Sequence, residues 1–214
     1  MEDIIIFGAG GLAREVAFLI DDINRQQPTW NIIGFADGDR NLIGTEVGEH
    51  KVICSDEDVL KMNVAAAIGI GNPKVISKIA ERFANQTNVV FPNLIHPGTI
   101  WDRERITLGQ GNIICAGSIF TTDITIGSFN YFNLSCTYGH DLKIAHCCVF
   151  NPGINMSGGV DVGSRCLIGT GAKILQYLKI GDDVTVGAGS VVTKDVPAGT
   201  TVIGVPAKPL APRT

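Results

Sequence analysis

The chain is poor in the features that mark many specialised proteins. Aromatic residues make up 7% of its 214 positions and charged residues 18%. The 17 Lys and Arg are scattered, and 21 Asp and Glu bring the formal net charge to −4. There is thus no basic stripe of the kind that holds a phosphate backbone, and nucleic acid is not an expected partner. No apolar run is long enough to span a bilayer, and MEDIIIFGAG carries acidic residues where a signal peptide needs positive charge. A soluble, cytoplasmic protein without a membrane partner is expected. No CxxC occurs among the six cysteines, and five of them fall in one regular β-like region. Reduced thiols suit that placement better than a disulfide framework. Glycine, in contrast, is plentiful at 26 residues without a collagen period, so the chain must turn often.

Two halves follow different periods. Residues 3–90 alternate strands and helices. IIIF (4–7) is a short buried strand, GLAREVAFLI (11–20) a helix with Leu12, Val16 and Leu19 on one face, and NIIGFAD (31–37) a second strand. Ser55 and Asp58 have capping-box spacing, and VAAAIGI (64–70) is a third buried strand. Asn72-Pro73 supplies an N-cap and first-turn proline for a helix over 74–84, and VVF (89–91) closes the half. Such alternation predicts a small parallel sheet with helices packed on it.

From Leu108 the period becomes six. Leu108, Ile114, Phe120, Ile126, Phe132, Tyr138, Ile144, Phe150, Met156, Val162, Ile168, Ile174, Ile180, Val186 and Val192 are all large and apolar. The position two before each is mostly aliphatic or small, including Cys136, Cys148 and Cys166. The position after is Gly in seven of the fifteen: Gly109, Gly127, Gly139, Gly163, Gly169, Gly181 and Gly187. Neither an α-helix nor one long strand sustains this pattern. A coil of short strands with a glycine-tolerant corner every six residues does, three hexads making one turn. Five such coils are expected, stacked at the strand spacing of roughly 4.8 Å. Cys115 and Cys147 fall outward and are expected to be the exposed thiols.

A half beginning IIIFGAGGLAREVA, followed by a hexapeptide region that contains GHD and ends IGVPAKP, resembles the NeuD/PglD-type sugar O- and N-acyltransferases over almost the whole chain. The resemblance implies a Rossmann-like acceptor domain over 1–92 and a left-handed parallel β-helix with a C-terminal cap over 93–214. It also implies a homotrimer, acetyl-CoA as acyl donor, a sugar or nucleotide-sugar acceptor and no metal.

Candidate site residues fall into three groups. Gly8, Gly10, Gly11 and Ala13 form a G-x-G-x-x-[GA] turn with Asp37 ending the next strand, the arrangement that lets a backbone approach a pyrophosphate at a helix N-terminus. Alone it reads as a dinucleotide fingerprint or as a tight turn without a ligand. By resemblance this loop and Asp37 contact the acceptor, with Gly71 and Asn72 in a second loop at the same sheet edge. His140 and His146 follow inward residues by two places and so point outward. His140 lies in Tyr138-Gly139-His140-Asp141, which matches the family stretch whose His is the general base, with Asp141 as its orienting carboxylate. An acceptor attacking a thioester must lose a proton, and imidazole suits that task. Gly158 comes one 18-residue coil after His140, where its N–H meets the developing oxyanion. Ala188 and the turn Gly204-Val205-Pro206 resemble the family's CoA-lining segment. The alternative for this end is a cap whose Pro206, Pro209 and Pro212 refuse strand pairing.

A zinc site from His140, His146 and Cys147 has suitable ligand types, but the three fall on different faces. The family usually carries a second His where this chain has Val149. The function expected is acetyl transfer from acetyl-CoA to an amino or hydroxyl group of a sugar. A non-catalytic ligand-binding β-helix protein, or an NAD-dependent oxidoreductase, are the alternatives.

Overall fold

The computed structural model describes residues 1–210; Pro212 lies outside them. Residues 2–90 form a six-stranded sheet from β1 (Glu2–Phe7), β2 (Trp30–Ala36), β3 (Glu46–Val47), β4 (His50–Cys54), β5 (Val64–Ile68) and β6 (Val89–Val90). The spatial order is β3-β4-β2-β1-β5-β6, parallel apart from the β3–β4 hairpin. Helices α1 (Gly11–Gln26), α2 (Asp56–Val59) and α3 (Pro73–Phe83) complete this half. Asn72 Oδ1 accepts from Lys74 N at 3.0 Å, and Ser55 and Asp58 form the expected capping box. α1 runs past the expected Ile20 through the polar DDINRQ turns, after which Asn24 Oδ1 accepts from Thr29 N and Trp30 N, both at 2.9 Å, and fixes the entry into β2. The β3–β4 hairpin was not visible in the sequence because β4 buries only Val52 well and leaves Ile53 exposed.

The second half is a parallel β-helix with three faces. Its first face stacks Leu94–Ile95, Ile113–Ile114, Tyr131–Phe132, Val149–Phe150, Leu167–Ile168, Thr185–Val186 and Thr201–Ile203. The second stacks strands from Ile100–Trp101 to Val191–Val192, and the third from Ile106–Leu108 to Lys179–Ile180. The fifteen period-six residues form a comb pointing into the prism, fourteen of them buried and Leu108 half-buried. Stacked aromatics fill the middle: Phe120 lies 4.5 Å from Tyr138 and Phe132 lies 4.9 Å from Phe150, ring centre to ring centre.

The prism starts one coil earlier than the comb shows. Trp101 and Leu108 are seven residues apart, so the lowest coil carries one extra residue and pairs Ile95 with Ile114 and Trp101 with Phe120, 19 positions on. The corner glycines also act differently from expectation. The left-handed position falls three residues after every inward residue from Leu108 to Val186, at Gly111, Gly117, Gly153, Gly159, Gly171 and Gly189 but also at Asp123, Phe129, Ser135, Asp141, Cys147, Arg165, Tyr177 and Asp183. The comb glycines are required instead by closeness between coils: a Cβ on Gly169 would lie 2.5 Å from Ala188 N, and one on Gly139 2.6 Å from Gly158 N.

Inside the prism an amide ladder runs where aliphatic residues were expected. Asn112 Nδ2 donates to Asn93 Oδ1 and Gly127 O, and Asn130 Nδ2 donates to Asn112 Oδ1 and Ala145 O. Asn130 Oδ1 in turn accepts from Cys148 N at 2.9 Å. Higher in the column Cys148 and Cys166 replace the amides, their thiols donating to Gly163 O and Gly181 O at 3.0 and 3.1 Å. At the top, Lys208–Pro209 forms a short antiparallel strand on Val202–Ile203. Pro209 therefore does not refuse pairing: on this edge strand Leu210 N supplies the bond, to Thr201 O at 2.7 Å.

One apolar core joins the halves. Phe7, Phe83 and Phe91 of the first half pack with Ile113, Cys115, Tyr131, Cys147 and Val149 of the first face and its corners, and Phe91 meets Phe129 edge-on at 5.2 Å. Cys115 and Cys147 point out of the prism as expected, but the first half covers them, leaving 4% and 6% exposed. Burial raises both thiol pKa values, that of Cys115 to about 11. All six cysteines are free.

Candidate functional site

The site residues fall in three clusters. At the carboxyl edge of the first sheet, Gly8 N donates to Ala36 O at 2.7 Å, joining the first loop to the end of β2, where Asp37 Oδ1 accepts from Asp39 N. Gly8 has φ +95°, and a Cβ there would sit 2.9 Å from Ile70. Gly69 packs so closely on α1 that a Cβ would lie 2.6 Å from Ala13 Cα. Gly10 and Gly11 are open: among the described residues, chain neighbours and the helix's own backbone aside, a Cβ on Gly10 would meet nothing within 4 Å and one on Gly11 only Arg14 Nη2 at 3.9 Å. Gly71 and Asn72 line a cavity of about 450 Å³ with Lys74 and, from the β-helix, Arg165, Asp183, Thr185 and Thr201. Sequence reading did not place Arg165 and Asp183 here. Their 18-residue spacing is the signal, since it stacks them, and Arg165 Nε and Nη2 each donate to Asp183 at 2.9 Å. That guanidinium holds the Asp183 carboxyl below its usual range.

The second cluster lies at the corner between the second and third faces. His140 Nδ1 sits 2.7 Å from Asp141 Oδ2, both side chains exposed. The left-handed backbone at Asp141, φ +58°, breaks the strand alternation that would have sent the carboxylate to the opposite side. The imidazole lies over Gly158, where a Cβ would meet Cε1 and Nε2 at 2.6 Å. Gly159 N donates to His140 O at 2.8 Å, pinning the two coils together. Among the described residues nothing accepts from Gly158 N. Beneath, Thr122 Oγ1 donates to Asp102 or Asp123 at 3.1 Å, and Thr122 O accepts from Asp141 N at 3.2 Å.

His146, at the next corner, is a rung of another ladder. Gln110 N donates to Ser128 Oγ, Ser128 N to His146 Nδ1 at 2.9 Å, His146 N to Ser164 Oγ, and Ser164 N to Asp182 Oδ1. Its ring is thereby oriented toward Ser128, and the neighbouring Cys147 is buried under the first half. Val149 is 1% exposed in the shared core, so the place where relatives are expected to carry a second His is filled here by packing.

The third cluster is at the corner between the first and second faces, at the top of the prism. Ala188 is exposed one coil above Gly169, and Gly204 N donates to Ser190 Oγ at 3.0 Å while Gly204 O accepts from Val191 N at 3.0 Å. Val205 and Pro206 project from that turn, exposed. The three clusters do not meet within one chain. The first half covers the first face, and the corner bearing His140 is opposite that face.

A Rossmann-like sheet docked on a hexapeptide prism with a histidine corner is the architecture of a hexapeptide-repeat acyltransferase. A family model described as the PglD N-terminal domain matches residues 3–83. WeeI from Acinetobacter baumannii is 32% identical with a TM-score of 0.85, covering 98% of this chain and 100% of WeeI. The acetyltransferase domain of PglB from Neisseria gonorrhoeae, solved with acetyl coenzyme A, is 28% identical with a TM-score of 0.87, covering 98% of this chain and 99% of that one. PerB from Caulobacter crescentus, solved with CoA and GDP-perosamine, is 27% identical with a TM-score of 0.87, covering 99% and 98%. No curated protein matches the chain. The chain belongs to the NeuD/PglD-type sugar acyltransferase family and is an acyltransferase with the family's Rossmann-like domain and left-handed parallel β-helix. Among the described residues no helix is long and apolar enough to cross a membrane.

Proposed function

We propose that the chain is a cytoplasmic, homotrimeric enzyme that transfers acetyl from acetyl-CoA to an amino or hydroxyl group of a nucleotide-linked sugar during polysaccharide biosynthesis. The observation that carries this reading is the His140 imidazole, tied to Asp141 at 2.7 Å and laid over Gly158, whose N–H has no acceptor among the described residues. With Nδ1 held by Asp141, Nε2 is left to take a proton. The acceptor nitrogen or oxygen attacks the thioester carbonyl carbon as Nε2 removes its proton. Charge on the carbonyl oxygen is met by Gly158 N–H. Collapse breaks the C–S bond, and the departing CoA sulfur takes the proton back from the imidazolium. No acyl-enzyme forms, in keeping with the burial of five of the six thiols.

In this reading residues 1–92 hold the acceptor: Gly8, Gly10 and Gly11 approach its pyrophosphate, Asp37 its ribose, and Gly71 and Asn72 line the neighbouring loop. Residues 93–214 hold the donor, along Ala188 and Gly204–Pro206. The placement of these groups on different sides of one prism supports a trimer in which His140 of one chain works beside the donor segment of the next. PerB and the PglB domain, solved with CoA or acetyl coenzyme A, support the donor, and GDP-perosamine in PerB supports a nucleotide-sugar acceptor.

A second reading, a ligand-binding protein without turnover, is favoured by one observation, the buried Val149 in place of a second His. The deciding experiment measures CoA release from acetyl-CoA by mass spectrometry with UDP-, GDP- and dTDP-amino sugars and free sialic acid, for the native protein and His140→Ala. Turnover with one acceptor that collapses in the variant is expected. Acetyl-CoA binding without turnover on any acceptor would favour the second reading.

A further inference from the structure

One carboxylate at the carboxyl edge of the first sheet has no task in the fold. Phe7, Ala36 and Cys54 are register partners across β1, β2 and β4. Gly8, Asp37 and Ser55 therefore leave the sheet in one row, and Asp56 follows Ser55 at its outer end. The acidic neighbours are engaged: Asp37 Oδ1 accepts from Asp39 N, Asp39 Oδ1 from Asn41 N and Asp58 Oδ2 from Ser55 Oγ, and Glu57 pairs with Arg40 at 3.1 Å. Among the described residues Asp56 Oδ1 is buried without a hydrogen-bond partner, which is costly in a finished fold. Burial and the nearby Asp37 raise the pKa of this carboxyl.

Asp56 lines a cavity of about 150 Å³ with Gly38, Arg40, Ser55, Glu57 and Arg82. Gly38 leaves the carboxylate uncovered, since a Cβ there would lie 3.4 Å from Asp56 Oδ2. The row of loops sets the order of a ligand laid along it. A nucleotide with its pyrophosphate at Gly10 and Gly11 and its ribose at Asp37 has crossed from β1 to β2, one strand spacing of roughly 4.8 Å. One further spacing in the same direction carries its base over the end of β4 and into this cavity.

We infer that this cavity holds the nucleobase of the acceptor and that Asp56 selects bases with a ring N–H beside a carbonyl, namely uracil, thymine or guanine. This rests on the reading of residues 1–92 as the acceptor domain. A carboxylate only accepts hydrogen bonds and a guanidinium only donates them. Uracil, thymine and guanine each offer a ring N–H to the one and a neighbouring carbonyl to the other, matching Asp56 with Arg40 and Arg82 on the same cavity. Adenine and cytosine present the reverse, an amino group beside a bare ring nitrogen, whose lone pair would face the carboxylate. The glycine loop then loses its dinucleotide meaning, because NAD would have to seat its adenine against Asp56.

The test is calorimetry of UDP, dTDP, GDP, ADP, CDP and NAD with the full chain, in the native protein, Asp56→Asn and Asp37→Asn. Saturating CoA is present throughout, so that adenine nucleotides do not report on the donor site. The best of UDP, dTDP and GDP is expected to bind about tenfold or more tighter than ADP, CDP and NAD, and the arm that binds best names the base. Asparagine keeps the shape of Asp56 and adds a donor. Asp56→Asn is therefore expected to lose about tenfold for that nucleotide and to gain for ADP or CDP, with an unchanged thermal midpoint. Asp37→Asn is expected to weaken the ribonucleotides alike and to leave the base preference as it was. Native binding of ADP or CDP as tight as the best of the first three, or a preference unchanged in Asp56→Asn, would overturn the assignment. Acetyl transfer to a nucleotide sugar alongside either result would leave the transfer reading standing. A native protein that binds none of the six nucleotides and releases no CoA with any acceptor would remove both.

Discussion

Replacing Gly158 by Ala separates the placement of the histidine from the stability of the fold. The added methyl would sit 2.6 Å from His140 Cε1 and Nε2 and 2.9 Å from Cδ2. Carbon–carbon contact requires about 3.5–4.0 Å, so the imidazole must move by about 1 Å. That motion takes it away from the Asp141 carboxylate, now 2.7 Å from Nδ1, and a misplacement of about 1 Å costs about 100-fold in rate. The fold should not suffer. Gly158 is outside the left-handed region, so alanine meets no backbone strain there, and the imidazole it displaces is exposed. Losing a glycine from the unfolded chain stabilises by about 0.4–1 kcal/mol. Steady-state kinetics, acetyl-CoA calorimetry and thermal unfolding on one preparation decide the matter. The expected result is kcat down about 100-fold, acetyl-CoA affinity within about threefold, and an unchanged or slightly raised Tm. A variant with near-native kcat would refute the claim that the imidazole must lie over Gly158, and a variant that unfolds would refute the stated freedom of the exposed ring.

Other outcomes follow from the packing. Asn130→Ala leaves Cys148 N and Ala145 O without their partner inside the prism, while Asn112 Oδ1 still accepts from the backbone N–H of residue 130, and urea unfolding should show a loss of about 3 kcal/mol at about 1–3 kcal/mol for each stranded buried group. Val149→His, which installs the second His expected from the resemblance, puts a polar ring into a core position 1% exposed; a Tm loss equivalent to about 2 kcal/mol is expected without a gain in turnover. Thiol titration of the native protein with an aromatic disulfide should modify Cys54 first, because it is half-buried while the other five cysteines are buried, and all six should react after denaturation. Burial and the carboxylates of Asp58 and Asp56 raise the Cys54 pKa, so that first reaction should quicken as pH rises past 9.0, the ordinary thiol value.

The repeat was the most legible part of this chain because inward positions in a prism obey one rule, size without polarity, and obey it at constant spacing. The first coil escaped because a single extra residue between Trp101 and Leu108 breaks that spacing without breaking the stack. Asn112 and Asn130 were passed over for the same reason in reverse: they occupy inward places, but only the carbonyls of adjacent coils make amides acceptable there. The comb glycines were found correctly and explained wrongly, since close approach between neighbouring coils leaves no trace in one hexad. Cys115 and Cys147 show the limit of periodicity most clearly. A period tells which way a side chain leaves the prism and is silent on what another part of the chain lays over it. At the candidate site, the stacking of His140 over Gly158 was legible from the 18-residue coil length, while the approach of Asp141 to the imidazole was not, because it depends on the left-handed backbone at Asp141.

The change of chemistry along the inner column has a consequence for how the molecule comes apart. The lower coils are fastened by the Asn93–Asn112–Asn130 amides and clamped by the first half. The upper coils have thiols and aliphatic residues in the same places and, among the described residues, only a two-residue strand as a lid. A stack in which each layer leans on its neighbours loses layers from its weaker end. Amide hydrogen exchange should therefore be fastest around Thr201–Ile203 and slow progressively toward Asn130, a gradient of mobility along a column whose inward side chains look nearly uniform. The loosest layers are the ones that carry Ala188 and Gly204–Pro206, so opening of the capped end costs little of the structure that holds His140.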